Sequence, residues 1–481
     1  MMDDCKNRVL RLKCAIQNYE WGHRGGQSVV GRLHALQSEA PLEPNKPYAE
    51  LWMGTHDSGP SFVIFEKVHD IERRHKAIGK TNGFLSHDDI HHYSDPIVFG
   101  VNAVDGDWHA NGGCNGNELP PKSMLLKDWL SERPKVLGNR VVERWGIHLP
   151  FLFKVISVQK ALSIQAHPNK QLAEHLHRLH PNIYKDANHK PEMAFAITHF
   201  EALCGFVSTQ ELQGIAEIVP ELQHVLGTSL WHALMNLPMF CEKEVKTTLK
   251  AAFTALMSAN KDFIIGALTP LLTRLGKAQQ ERSLSQKEML ILRLAEQYPG
   301  DVGILSALFL NFIRLDPGQA VYLDASEPHA YLFGDCLECM AASDNVVRAG
   351  LTSKYIDTKT LCDMLTYKQG MPEILSGIDI NAYTKRYAPP FDEFEMDSCT
   401  LPAGQMAEFS SINGPSILLV LEGCGILSEL NGKCPSTFRL QRGDILFISA
   451  DTHFDVVAMP TSNTDLKFYR AGVNSRFLLD S

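Results

Sequence analysis

The 481-residue sequence has no apolar run approaching the ~18–20 residues that span a bilayer. It has no excess of basic residues either: 46 Lys and Arg stand against 55 Asp and Glu, for a net charge of −9. That balance argues against broad binding to nucleic acid or to an anionic membrane, although a local basic pocket can still take a small anion. The opening MMDDCKNRVLRLKC carries two acids and no apolar core, so it does not read as a secretory signal or transit peptide. Its 11 cysteines are odd in number and scattered, the pattern of reduced thiols in a cytoplasmic protein rather than of a disulfide framework. Cys336 and Cys339 form a C-x-x-C without a second pair, and are expected to be buried small residues.

The chain is too long for one simple core, and its texture changes along its length. Residues 1–66 read as short strands and turns, broken at Gly54 and at Ser58-Gly59-Pro60. Residues 68–125 are polar, aperiodic and rich in His, Asn and Gly, which predicts a long surface excursion. Its His75, His87, His91, His92 and His109 have no rigid spacing and are expected to be solvated rather than metal-bound. Strands are predicted at LPFLFKVISV and ALSIQAHP, and helical periodicity from about 208 to 300, opening on Thr209 as a cap. Strands resume at NFIRLDPGQAVYLDASEPHAYL. LDPGQAVYLDASEPH (315–329) matches LQRGDILFISADTH (440–453) in outline: a polar pair, Gly, an apolar strand, a small acidic turn, then His. Two such copies predict two related β-barrels with a helical insertion in the first.

The stretch LSIQAHPNK (162–170) carries the chemistry. Leu162, Ile164 and Ala166 share one face of an extended chain; Ser163, Gln165 and His167 share the other, and Pro168 ends the strand. Glu192 follows a proline at the start of another apolar run, and His329 follows a proline at the end of a third. Two His and one Glu form a usual catalytic zinc set with an open coordination position. The same residue types also suit hydrogen-bonded core histidines and a surface acid, and spacing alone does not decide between these readings. His453, in the second copy, has no Gln-x-His or Glu partner, so that copy is expected to be metal-free. The segment 334–357 adds Glu338, Asp344, Arg348 and Lys354, and with Lys170 and Lys190 these cations suit an anionic substrate.

Taken together, QNYEWG, YAELWMGTH, LPFLFKVISV, LSIQAHPNK, ANHKPEMA, ALCGF, PGDVG, EPHAYL and SDNVVRAGLTSKYID resemble the type I phosphomannose isomerases over nearly the whole chain. The resemblance implies a mainly β protein with two cupin-like (jelly-roll) β-barrels and an inserted α-helical domain. Residues 20–207 and 306–368 would form the catalytic barrel, 208–305 the helical domain and 369–481 the C-terminal barrel, with the first strand (within 1–19) packing onto the latter. It implies one Zn2+ per chain on Gln165, His167, Glu192 and His329. The implied reaction interconverts mannose 6-phosphate and fructose 6-phosphate through an enediolate, supplying mannose 6-phosphate for GDP-mannose and glycosylation. Arg348 matches the family's catalytic arginine. Glu338, Asp344 and Lys190 remain open as the proton carrier, and His189 is a candidate for opening the sugar ring. Ser163, Lys170, Tyr331 and Lys354 are expected to contact a phosphorylated hexose, in a monomer without nucleic-acid or membrane partners.

Three positions depart from the family's common residues: Ser326 where Asn is common, Phe333 where Ser is, and Ser353 where Pro is. They bear on rate more than on reaction type. Two other functions fit the metal set, a non-catalytic sugar-phosphate sensor and an iron oxygenase built on a two-His, one-carboxylate triad. The acid–base groups argue against the first, and the extra Gln with the cations argues against the second. A purely structural scaffold would leave the inward polar strand face unexplained.

Overall fold

The computed structural model describes residues 8–38, 41–65, 123–237, 241–431 and 436–479. His75, His87, His91, His92 and His109 of the 68–125 excursion lie outside the described residues. The described part is mainly β, in sheets of eleven, nine and four strands, with a helical insertion.

One long strand, His329–Ala341, organises the eleven-stranded sheet. Its second half, from Gly334, pairs with Phe151–Val158 on one side and Glu192–Ala196 on the other. Its first half pairs instead with Phe200–Phe206 and, at His329, with Gln165 of Ile164–Ala166. The strand is thereby shared between two groups of partners.

The two faces of this sheet differ in chemistry because side chains alternate along each strand. Leu51, Met53, Phe153, Val155, Met193, Phe195, Leu337 and Cys339 pack against Ile417, Leu419, Phe447 and Tyr469 of the nine-stranded sheet. The intervening positions, Glu50, Trp52, Lys154, Glu192 and Glu338, take the opposite face. Buried charges on one side of a sheet and a dry core on the other are what a functional cavity behind a structural wall requires. Cys336 and Cys339 sit three apart on the same strand, so they point to opposite faces and cannot chelate one ion; both are free and buried.

The insertion contains the helices Thr209–Ile218, Leu222–Leu226, Thr228–Met235, Glu242–Ser258, Lys261–Glu281 and Gln286–Gln297. Ser208, not Thr209, caps the first: its hydroxyl accepts the Glu211 N–H, and Thr209 is already helical. Asn260 caps the helix Lys261–Glu281, and Ser285 with Glu288 forms a reciprocal capping box. Leu249, Phe253, Leu256, Leu268, Leu271 and Leu294 bury the shared face.

The strand Val9–Lys13 pairs with Ile445–Ile448 in the nine-stranded sheet. The repeat seen in the sequence is present in the backbone, with a shifted register. Gly318 and Gly443 share a left-handed conformation, with φ of 92° and 89°, and Ser326 and Asp451 share another, with φ of 62° and 60°. Leu323 pairs with Glu192 in the first copy, and the corresponding Ile448 pairs with Ser416 in the second. Counted from these fixed points, His329 corresponds to Phe454, not to His453, because the second copy is one residue shorter before its histidine. A one-residue slip moves a side chain to the other face of a strand. Phe454 is accordingly buried, while half-buried His453 meets Glu408 at 2.7 Å. The second copy thus has Phe and Ser where the first has His329 and Glu192.

Candidate metal centre

His167, Glu192 and His329 reach one point from three strands that are distant in sequence. Ile164–Ala166 delivers His167 at its end, Glu192 begins Glu192–Ala196, and His329 begins the long central strand. One ligand atom from each lies within 4.8 Å of the others, and all three side chains are buried. His167 Nε2 stands 3.3 Å from Glu192 Oε1, and His329 Nε2 stands 3.2 Å from Glu192 Oε2.

The tautomers are fixed from outside the cluster. His167 Nδ1 lies 2.6 Å from the Asn345 carbonyl, and His329 Nδ1 lies 3.0 Å from that of Glu327. A carbonyl can only accept, so each Nδ1 carries the proton and each Nε2 turns a lone pair inward. Burial pulls the His167 imidazole down to about 4, against the opposing pull of Glu192, so it is neutral near pH 7. Burial by itself would raise the Glu192 carboxyl, but Lys190 and His167 outweigh it and hold Glu192 well below the usual range. With both imidazoles neutral, the form that binds a metal, the cluster offers two lone pairs and a carboxylate. His167 Nε2, His329 Nε2 and Glu192 Oε2 have no hydrogen-bond partner. Buried acceptors converging without a donor are costly unless a cation joins them, and backbone-anchored imidazoles are how proteins hold zinc. The donor set fits that ion.

Gln165 is half-buried on the face it shares with His167, and it pairs directly with His329 on one side and with Arg348 on the other. The strand order therefore places Arg348 one strand beyond Gln165 from the metal ligands. Arg348 is half-buried and, among the described residues, has no hydrogen-bond or ion-pair partner. It lines a cavity of about 390 Å³ with Lys354, Tyr184, Tyr355 and Asp357. An unpaired guanidinium beside a cavity is suited to an anion.

On the other side of the metal ligands is a buried charge network. Lys154 Nζ lies 2.9 Å from Glu338 Oε2 and 3.5 Å from Glu50 Oε2, and sits over the Trp52 ring. Tyr331 donates its hydroxyl to Glu338 Oε1 at 2.9 Å, and the Trp52 indole N–H donates to Glu50. Burial raises the Glu338 carboxyl above its ordinary range; Lys154 opposes this and Glu192 adds to it. Burial works against charge on Lys154, but Glu338 and Glu50 outweigh it and hold the ammonium above its usual value. Lys154, Glu50 and Trp52 were not among the expected site residues. The available signal was a single lysine inside the apolar strand FLFKVISV and a single acid inside AELWM.

The remaining expected residues are placed as follows. Lys190 is buried, 3.2 Å from Glu192 Oε1. Asp344 is exposed, 3.4 Å from His56 Nε2, and this contact leads the effects that lower its carboxyl. His189 turns to Glu393 of the C-terminal part, at 2.7 Å. Lys170 donates to Asn188 at 3.0 Å, and Ser163 is half-buried two residues before Gln165. Tyr331 is buried, with its hydroxyl committed to Glu338. Phe333 is 40% exposed and meets the His23 ring edge-on, which puts it at the rim. Ser353 is exposed. Ser326 holds the left-handed φ that Asn tolerates better than Ser, and donates its N–H to the His167 carbonyl at 2.7 Å.

Comparison with known proteins gives consistent matches along the chain. Residues 9–104 and 104–209 match the catalytic domain of type I phosphomannose isomerase, and residues 225–310 match its helical insertion domain. Mannose-6-phosphate isomerase 1 of Arabidopsis thaliana is 46% identical, over 98% of this chain and 96% of its own. The Homo sapiens mannose-6-phosphate isomerase is 37% identical, over 96% and 98%. A crystal structure of mannose 6-phosphate isomerase bound with zinc and yttrium superposes with a TM-score of 0.72 at 25% identity, covering 97% of this chain and 99% of that one.

Proposed function

Because the chain belongs to the type I phosphomannose isomerase family, we propose that it interconverts mannose 6-phosphate and fructose 6-phosphate with one zinc ion per chain. The observation that carries this is the convergence of His167 Nε2, His329 Nε2 and Glu192 Oε2, buried and without a hydrogen-bond partner, with Arg348 one strand beyond Gln165 and unpaired among the described residues. Gln165 supplies an amide oxygen as fourth ligand from the same strand face as His167. Zinc held there supplies a Lewis acid for the substrate's carbonyl and hydroxyl oxygens.

The isomerisation moves a proton between C1 and C2, and the enediolate between them is anionic. Arg348 sits beside the reacting carbons and balances that charge, with no carboxylate of its own to release first. Among the candidate proton carriers, Glu338 has the best environment. Burial raises its carboxyl above its ordinary value, and Tyr331 and Lys154 fix its two oxygens. Lys190 is engaged with Glu192 and serves to keep that ligand ionised. Asp344, exposed beside His56, and His189, held by Glu393, are left as the candidates for opening the sugar ring. Lys354, Lys170 and Ser163 receive the phosphorylated end of the sugar.

On this reading the two sheet systems are cupin-like barrels, of residues 20–207 with 306–368 and of 369–481 joined by the first strand, with 208–305 inserted. The matched left-handed turns of the two copies support a common origin for them.

The test is conversion of mannose 6-phosphate to fructose 6-phosphate by purified protein as isolated, after chelation and after zinc is restored. Turnover that falls and returns with zinc supports the reading. Bound zinc without turnover would replace it with a sugar-phosphate sensor.

A further inference from the structure

Asp186 belongs to no strand or helix and was not singled out in the sequence, yet donors from two loops converge on it. Its Oδ1 accepts from the Asn188 N–H at 2.9 Å, the Ser343 hydroxyl at 2.8 Å and the Asn345 amide at 3.2 Å. Its Oδ2 accepts the Asp344 N–H at 2.7 Å. The Asn345 amide also donates to the backbone carbonyls of Asp186 and Asn188, at 2.8 and 2.9 Å. The two loops, one leading to Lys190 and Glu192 and the other to Arg348, are thereby locked together. The Asn345 carbonyl produced by this lock accepts His167 Nδ1.

We propose that Asp186 is a positioning residue for the metal centre, setting the His167 ring through Asn345 and the Asp344 carboxylate through its own backbone N–H. The inference rests on the zinc reading of the His167–Glu192–His329 cluster. The physical argument is directional. An imidazole free to turn about χ2 loses its aim at the metal, and its Nδ1 partner is what fixes that angle and the tautomer. Here the partner is a main-chain carbonyl in a loop, so its position is only as firm as the side chain that ties the loop down. A carboxylate suits the task because every group facing it is a donor. An amide in its place has one acceptor oxygen, which can serve the Asn188, Ser343 and Asn345 donors or the Asp344 N–H, but not both.

The test uses full-length protein carrying Asp186→Ala, Asp186→Asn or Ser343→Ala. Zinc affinity is read by competition with a chromophoric chelator, and ligand geometry by the visible spectrum of the cobalt-substituted protein. Asp186→Ala is expected to weaken zinc binding by about 10- to 100-fold, the range for loss of a group that orients a ligand. It should also shift the cobalt bands while the melting temperature of the zinc-free protein stays near that of the parent. Asp186→Asn, which keeps the Asn345 side of the lock, should fall between that variant and the parent in zinc affinity. Its KM is expected to stay near normal while kcat drops, because Asp344 has lost its anchor. Affinity and cobalt spectrum unchanged in Asp186→Ala would overturn the inference. If that variant does not fold, Ser343→Ala decides: it removes one donor and should cost roughly two- to fivefold in affinity, and no change would overturn the inference equally. Parent protein that takes up no zinc would defeat the metal reading itself, a result separable from parent and variants binding it alike.

Discussion

Lys154 Nζ lies 2.9 Å from Glu338 Oε2, with both side chains buried on strands that pair directly at these two residues. The register alone brings them together, since Lys154 is the cross-strand partner of Glu338. Replacing Lys154 by Met would leave Glu338 and Glu50 buried without the ammonium that faces both. The expected cost is about 3–5 kcal/mol of stability, read as a lowered urea midpoint at unchanged m-value. Adding Glu338→Gln should recover much of that loss. If the single and double variants were equally destabilised, the ion pair would not be the cause.

Arg348→Ala should lower kcat/KM by roughly 100- to 1000-fold, the scale for losing a preorganised group that stabilises a developing anion. Zinc content should be unchanged, because the strand Val347–Gly350 contributes no member of the His–Glu–His cluster. Near-normal turnover would remove Arg348 from the transition state.

The shifted repeat makes a paired prediction. His329→Ala should lose both zinc and turnover, since it deletes one of three convergent ligands. His453→Ala should keep both, because His453 lies on the other strand face with Glu408. Loss of bound zinc in His453→Ala would mean that a second metal site exists.

The helical insertion should show its own acid sensitivity. Hydrogen bonds from Arg282 are the main reason the Glu288 carboxyl is held down at about 2, with the Ser285 cap assisting. The folded value lies below the unfolded one, so the charged form stabilises the fold above the ordinary carboxylate pKa. That contribution is lost as pH falls from about 4.5 toward 2. Arg282 is half exposed, so its share is screened by solvent and small. Glu288→Gln should therefore melt below the parent at pH 6, and the gap should narrow steadily as pH falls from about 4.5 toward 2. A gap that is constant with pH would assign the effect to packing.

Much of this architecture was legible before any coordinates. The alternation of Ser163, Gln165 and His167 with Leu162, Ile164 and Ala166 announced a strand with a polar inner face, since period two is a local property of the chain. The helical insertion was legible for the same reason, its apolar residues recurring at helical spacing. The prolines beside His167, Glu192 and His329 marked strand ends, where a side chain meets a cavity. The repeat was legible in outline but misregistered, because matching histidine to histidine ignored the residue missing from the second copy. The backbone's left-handed positions at Ser326 and Asp451 supply the correct alignment. The cap at Ser208 was missed by one position, within the usual uncertainty of a helix end.

The sequence by itself determined which residues face which side of each strand, where the helices run, and which residues are candidates for a metal-ligand set with nearby cations. These are consequences of local periodicity and residue chemistry. Only the tertiary structure decided that Lys154 meets Glu338, that Asp186 ties the loop holding His167, and that Phe454 stands where a ligand would. Each depends on strand register or loop docking between segments far apart in the chain. The energy that selects such pairings comes from burying both strands' apolar faces together, and no single segment contains it.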